Sequence, residues 1–396
     1  MQLIEVNNQQ TAKDFLMLPV RLYKNEKHWI RPLDKDINTI FDTKQNKYFR
    51  NGELIRWILK DNSGLTIGRV AAFINRKTAN KDSDQPTGGM GYFDCIDDQK
   101  AAFALFDACK TWLAEKGMEA MDGPINFGDR DKWWGLLVTG FDKDPNYLCN
   151  YNFPYYQPLF ESYGFQTYFE QITYSRKVLA PTDPKIQEKA ERILSNPKYD
   201  FRHIRLKELD KFTEYFMEIY NAAWASHIGV PKLELKLAKS LMQQMKPIID
   251  EKIIWFGFYD EKPVAFFIML PEVNQIFKHV NGKLDLWGKL VFLYCKVMKT
   301  NKKMFGTVFG VVPDHQGKGV DAAIVEKTRR VVQGSYQRYE DVEMNWIGDF
   351  NLRMIHMVEQ VGVEKSKIHK TYRYLFDRTK PFARMPFIGE RRKKED

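Results

Sequence analysis

Cysteine is scarce in this 396-residue chain. The four present, Cys95, Cys109, Cys149 and Cys295, form no CxxC pair, no disulfide framework and no cluster with histidine at zinc-ligand spacing. The expectation is a reduced, cytoplasmic protein without a structural metal. Long apolar runs are missing too: the greasiest stretch, Leu284 to Met298, is broken by Asp285, Lys289 and Lys296 and is too short to span a bilayer. The opening residues, Met1-Gln2-Leu3-Ile4-Glu5, lack the basic start and apolar core of a secretory signal. No integral membrane association is expected.

What is present is ordinary for a globular protein, with 44% hydrophobic and 28% charged residues. That excludes collagen-like, mucin-like and wholly disordered classes. A prior of ~150 residues per domain gives two or three domains. The charge surplus of +10 favours anionic partners, such as phosphorylated cofactors, nucleic acid or acidic membrane surfaces, without choosing among them. No nucleic-acid module is recognisable, so that partner is not expected.

Local patterning outlines two halves. Glu53–Leu59 and Thr66–Phe73 read as strands of a hairpin around the turn Asp61-Asn62-Ser63-Gly64, and residues 76–90 as a polar loop. A short strand is expected around Tyr92–Cys95. A helix follows over Gln99–Lys116, with Ala102, Leu105, Phe106, Cys109 and Leu113 on one stripe and Gly117 as its stop. Residues 180–200 read as a connector containing a charged helix. Beyond it comes a helix (Phe212–Ser226), then strands at Ile253–Tyr259, Val264–Leu270 and Met304–Val312, then a helix after Gly319.

An internal echo points to duplication. Glu161-Ser162-Tyr163-Gly164-Phe165 aligns with Glu359-Gln360-Val361-Gly362-Val363 at an offset of 198, and Thr173-Tyr174 falls on Thr371-Tyr372 at the same offset. Upstream, Gln99 and Gly117 fall on Gln316 and Gly334 at an offset of 217, so the first copy carries 19 extra residues, placed around 126–150.

The sharpest motif is Val311-Val312-Pro313-Asp314-His315-Gln316-Gly317-Lys318-Gly319-Val320-Asp321-Ala322, between a strand and a helix. Two glycines let the backbone approach an anion, and the helix beyond offers unpaired amides and its positive dipole end. A pyrophosphate held there gains charge-assisted hydrogen bonds of roughly 1.5–3 kcal/mol each. A Walker A loop fails, because Val312 and Gly319 stand where Gly and Ser or Thr are required. Gly317-x-Gly319-x-x-Ala322 fits a dinucleotide-binding fingerprint, but it comes too late in the chain for a Rossmann sheet.

The third phosphate loop is the specific one. Val-x-Pro-x-x-Gln-Gly-Lys-Gly resembles the acyl-CoA pyrophosphate loop of the GNAT (N-acetyltransferase) superfamily. Glu343–Ile347 resembles that family's next strand, and Asn351–Val363 its following helix, over roughly residues 200–378. The resemblance implies an α/β protein of two GNAT-like domains, each a mixed, mostly antiparallel sheet flanked by helices, at residues 1–180 and 198–380 with a basic tail at 381–396. It implies acetyl-CoA or another acyl-CoA as co-substrate and a small-molecule or peptide amine as acceptor. Val311 and Val312 would line the pantetheine arm, Gln316, Gly317, Lys318, Gly319 and Val320 would hold the pyrophosphate, and Asn351 would face the cofactor. Two departures stand out: Asp321 replaces a small residue beside the phosphates, and Val358 replaces the tyrosine that often protonates the departing thiolate. They leave open a non-catalytic binding or scaffold protein on the same fold. In the first copy Lys100 and Ala102 replace the glycines and Phe160 the acid, so that copy reads as degenerate and without a cofactor of its own.

Acyl transfer from a thioester to an amine needs a base and an acid. Glu343, alternating with Val342, Met344 and Trp346, is either that base or a solvent-facing strand residue; Tyr372 is either the acid or a packing aromatic, and so is Tyr374. The first-copy insertion, with Trp133, Trp134 and Asn150–Tyr156, either shapes an acceptor pocket or packs. The amphipathic segment Leu284–Lys303 reads first as core or interface, otherwise as a lid or a membrane-surface contact.

Overall fold

Asp61-Asn62-Ser63-Gly64 turns the chain as its composition predicts. The Asp61 carboxylate accepts from the Ser63 and Leu65 amides at 2.9 and 3.0 Å, Gly64 takes φ +83°, and the flanking strands pair antiparallel with Leu59 opposite Gly68. In the computed structural model, which describes residues 1–80, 85–224 and 232–388, this hairpin belongs to a sheet that runs through the whole molecule.

The first half opens with β1 (Gln2–Glu5), α1 (Gln9–Leu22) and α2 (Asp34–Phe41). The hairpin β2 (Gly52–Lys60) and β3 (Thr66–Asn75) follows, then β4 (Thr87–Cys95), α3 (Gln99–Glu115) and β5 (Ala120–Gly123). After β6 (Leu136–Thr139) the half ends with α4 (Tyr156–Tyr163) and β7 (Gln166–Lys177), and α5 (Pro184–Leu194) is the connector. The second half begins β8 (Tyr199–His203), α6 (Leu209–Trp224), α7 (Leu235–Met245), β9 (Ile254–Tyr259) and β10 (Lys262–Pro271). It continues with α8 (Asn274–Phe277), α9 (Leu286–Val297), β11 (Lys303–Val311) and α10 (Val320–Arg330). It closes with β12 (Asp341–Met344), β13 (Ile347–Gly348), α11 (Leu352–Gln360) and β14 (Glu364–Leu375).

The sheet order is β1-β2-β3-β4-β5-β14-β7-β12-β11-β10-β9-β8. Read from either end, the same succession of strands recurs, with the parallel pairs among the described residues at β4/β5 and β11/β12. The two closing strands are exchanged: β14 pairs with β5 of the first half (Tyr372 opposite Gly123), β7 pairs with β12 of the second, and the two run antiparallel at the centre. The offset of 198 maps the ends of β7 onto the ends of β14.

Helix α3 buries Ala102, Leu105, Phe106, Cys109 and Leu113 against β3, β4 and α4. In the second half α10 and α5 cover one face of the sheet, and α6 and α7 the other. Three readings shift. The expected loop over 76–90 ends at Thr87, because Gly88, Gly89 and Gly91 lie within β4. A Cβ at Gly89 would meet the Phe73 ring at 2.2 Å, and one at Gly91 the Ile125 carbonyl at 1.9 Å, so these glycines serve close packing rather than turning. The expected helix to Ser226 is seen to Trp224, and Ser226 lies outside the described residues. The expected basic tail is held down over its described part, residues 381–388: the Met385 amide donates to the Tyr168 carbonyl at 3.0 Å and the Ile388 amide to the Phe350 carbonyl at 2.9 Å. Among the described residues no helix is long and apolar enough to cross a membrane.

Candidate active site

The site begins where two parallel strands part. β11 pairs with β12 from Lys303–Asp341 to Gly306–Met344 and no further. Thr307 is skipped in the register with β10, a bulge, and β11 then continues beside β10 to Val311. On the other side the chain leaves β12 at Asn345, whose amide donates to the Gly306 carbonyl at 2.8 Å, and β13 crosses to pair with Ile172 and Gln171 of β7. A wedge opens between β11 and α11. Its main lobe, about 720 Å³, has walls from Phe309, Val311, Asn351, Met354 and Met357, with Phe387 and Ile388 of the returning C-terminal stretch. A second lobe of about 260 Å³ lies toward α5.

At the outer end of the wedge Gly317 and Gly319 take φ of +73° and +98°. Side chains rarely adopt such angles, and no atom lies within 4 Å of where a Gly317 Cβ would sit, so the turn is open. Gly319 is the N-cap of α10, which leaves the first amides of that helix free of intrahelical acceptors. Lys189 and Arg192 of α5 border the same turn, and the Arg192 guanidinium donates to the Lys318 carbonyl at 3.4 Å. Asp321 borders both lobes. His315, beside the turn, is bonded to the Tyr199 hydroxyl at 2.7 Å; burial first and Lys318 second lower its pKa.

The residues singled out in the sequence fall into separate places. Val311 lines the wedge, whereas Val312 packs against the core beneath α6 and its amide donates to the Val264 carbonyl at 2.9 Å. Gln316 lines the wedge, yet its amide nitrogen turns back to the Val311 carbonyl (2.9 Å) and its oxygen accepts from Arg353 (3.1 Å). Lys318 is exposed. Val320 is buried in the core under α10 and has only its backbone at the turn. Asn351 lines the wedge and caps α11, its side chain accepting from the Met354 amide at 3.2 Å.

Glu343 and Tyr372 meet environments other than those expected of a base and an acid. Glu343 is buried on β12 with both oxygens engaged: Oε1 accepts from Lys367 and from Ser366 Oγ, and Oε2 from Lys303 at 2.7 Å. Burial works against its ionisation, but Lys367 and Lys303 outweigh burial and bring its pKa down to about 2. So weak a base does not take a proton from an amine near neutrality. Glu272, buried beside this group, has its carboxyl pKa raised by burial. Tyr372 is fully buried in the first-half core, because β14 is exchanged to pair with β5. Its hydroxyl donates to Glu161 Oε1 at 2.9 Å, and burial and Glu161 push its pKa far up.

No family model matches the chain. A bacterial ceramide synthase of Caulobacter vibrioides (strain NA1000 / CB15N) is 26% identical over 377 residues, 94% of this chain and 97% of that protein. Protein YghO of Escherichia coli (strain K12) is 26% identical over 375 residues, 92% of this chain and 93% of its own. Among solved structures, a tandem GNAT protein from the clavulanic acid biosynthesis pathway superposes with a TM-score of 0.51 at 9% identity, covering 95% of this chain and 98% of its own. The GCN5-related glucosamine N-acetyltransferase region of a fungal multi-domain β-N-acetylglucosaminidase gives 0.53 at 14% identity, over 94% of this chain and 38% of that one. The fold is that of a tandem GNAT protein.

Within the tandem GNAT fold the first half repeats the parting strands at β4/β5, where pairing ends at Gly89–Asp122. Lys100 and Ala102, expected at the glycine positions, lie inside α3; the residue standing where Gly319 caps α10 is Asp98, which follows Asp97 and caps α3 by accepting from the Ala101 amide at 2.9 Å. Two carboxylates at that helix start oppose a phosphate. The insertion helps to line a cavity of about 100 Å³, with Trp29, Tyr92, Trp133, Tyr147 and Tyr151 around the buried ion pair Arg69–Asp94. Sequence reasoning missed Lys189, Arg192 and Phe387 at the second-half wedge. The signal for the first two was the basic face of the connector helix, read only as a linker.

Proposed function

We propose that this chain is an acyltransferase that moves an acyl group from acyl-CoA to an amine, with the CoA held in the second-half wedge. The observation that carries the reading is the parting of β11 from β12 into a wedge that ends at the open, doubly left-handed Gly317–Gly319 turn on the N-terminus of α10. The residues present suit such a co-substrate. Free helix amides with Lys318, Lys189 and Arg192 near them complement a diphosphate, and the apolar walls from Phe309 to Met357 complement a pantetheine arm.

The reaction conserves atoms simply. The amine lone pair attacks the thioester carbonyl, the tetrahedral adduct collapses with loss of the CoA thiolate, and the proton lost by nitrogen ends on that sulfur. In this reading Glu343 holds the root of the wedge closed through its two lysines, and the proton travels by water or directly to the leaving thiolate. Similarity to a bacterial ceramide synthase, 26% identity over nearly all of both chains, supports a long-chain amino alcohol as acceptor. A cytoplasmic location fits a CoA-dependent reaction.

A second reading, a binding protein that has lost turnover, is favoured by Asp321 at the phosphate end and Val358 in place of the customary acid. One experiment separates them. Calorimetric titration of CoA into wild type and Gly317→Glu is followed by a thiol-release assay with acetyl-CoA and palmitoyl-CoA, using sphinganine as amine. Binding by wild type only, with amine-dependent thiol release, supports the enzyme. Binding without release supports the second reading, and absence of binding ends both.

A further inference from the structure

Helix α9 is apolar on two sides, and only one of them is used. At 100° per residue, Gly288, Val291, Phe292 and Cys295 form one seam. Gly288 and Cys295 are buried, and Val291 and Phe292 pack on the cluster of Leu33, Val273, Phe277 and Val280. Opposite that seam lie Leu286, Trp287, Leu290, Leu293, Tyr294 and Val297, and all six are more than half exposed, Leu286 at 77% and Trp287 at 71%. A contiguous apolar face of this kind on a protein surface marks a contact. Of the expected core or interface packing, the inner seam shows the core part, and the outer face is open.

We propose that the outward face of α9 docks on the surface of an anionic lipid bilayer. Charge selects this occupant. Residues 278–302 contain six lysines (Lys278, Lys283, Lys289, Lys296, Lys299, Lys302) and one acid, Asp285. Lys289 and Lys296 sit together on one flank of the apolar face, while Lys283, Lys299 and Lys302 lie beyond the helix ends. A second copy of the chain is disfavoured as occupant, since a twofold contact would bring the same positive rim against itself. Trp287 and Tyr294 carry large rings with a polar edge, the side chains that suit the boundary between acyl chains and headgroups. A helix lying in that plane with lysines at its rim gains from both apolar burial and headgroup charge. The inference goes beyond the acyltransferase reading and stands without it.

The test uses the full chain, without CoA or amine, sedimented with vesicles of phosphatidylcholine alone or mixed with phosphatidylglycerol. Wild type is expected to pellet with the mixed vesicles at low salt and weakly with phosphatidylcholine. The triple variant Trp287→Ser/Leu290→Ser/Tyr294→Ser should partition at least about tenfold less, with an unchanged thermal melt because these side chains are already exposed. Lys283→Glu/Lys289→Glu should weaken binding at low salt and match wild type at high salt. Failure of wild type to pellet with the mixed vesicles, or equal pelleting of the triple variant, overturns the proposal. So does a dimer in vesicle-free solution that the triple variant abolishes while wild type ignores vesicles.

Discussion

Removing the charge of Glu343 is the sharpest probe of how the wedge is held. Glu343→Gln preserves shape but takes from Lys367 and Lys303, with side chains 2% and 16% exposed, the carboxylate they share, while Glu272 and Asp144 still act on Lys303. Breaking a buried ion pair from one side costs about 3–5 kcal/mol. With an unfolding entropy of ~2.1 cal/mol/K per residue, 396 residues give roughly 0.8 kcal/mol/K, so Tm should fall by about 4–6 °C. The double variant Glu343→Gln/Lys367→Met removes the most buried of the stranded charges and should recover at least half of the loss. Calorimetric melts at neutral pH supply the numbers, and thiol release supplies kcat alongside. A melt within about 1 °C of wild type would refute the clamp. A hundredfold loss of kcat with an unchanged melt would refute it differently, by returning Glu343 to the role of base.

Other consequences follow from the same geometry. Asp321→Asn removes a negative charge at the phosphate end, so CoA should bind about three- to tenfold more tightly by calorimetry; weaker binding would mean that the carboxylate serves the ligand. Tyr372→Phe loses one hydrogen bond to Glu161, worth roughly 0.5–1.5 kcal/mol, and should lower Tm by about 1–2 °C with kcat within about twofold of wild type, whereas an acid would lose far more. His369 is buried on β14, bonded to the Asn150 carbonyl at 3.0 Å, and burial brings its pKa down to about 4. The unfolded chain takes up its proton near pH 6.5, so stability is lost as pH falls from about 6.5 to about 4, by up to roughly 3 kcal/mol; His369→Gln should flatten that part of the pH–Tm curve.

Local features were legible in the sequence because local physics makes them. The hairpin turn at Asp61–Gly64, the stripe of α3 with its Gly117 stop, and the strand–glycine–helix passage into α10 each occupy a few consecutive residues. The duplication was legible from the Glu161–Phe165 echo, which sits just before β7 as its counterpart sits just before β14. What the sequence could not display is partnership between strands. Nothing near Tyr372 says that β14 crosses to β5, so an aromatic expected at the second-half cleft lies in the first-half core. Likewise Glu343 looked like an alternating polar residue, since Lys303 and Lys367, which bury and neutralise it, come from other strands. Helix α9 was legible as amphipathic, but which of its apolar residues pack and which face outward depends on the distant cluster of Leu33, Val273, Phe277 and Val280.

The traded final strands also set a birth order. β5 leaves the ribosome about 250 residues before the segment that completes its edge, which at 5–20 residues per second is a wait of roughly 12–50 seconds. During that interval the nascent first half carries a raw β edge next to apolar Met121 and Ala120, the kind of template on which unrelated chains pair. A stop codon before residue 364 therefore leaves the first half without its closing strand even when all of its own residues have been made, and such truncated products are candidates for chaperone capture or proteolysis rather than for use as separate modules.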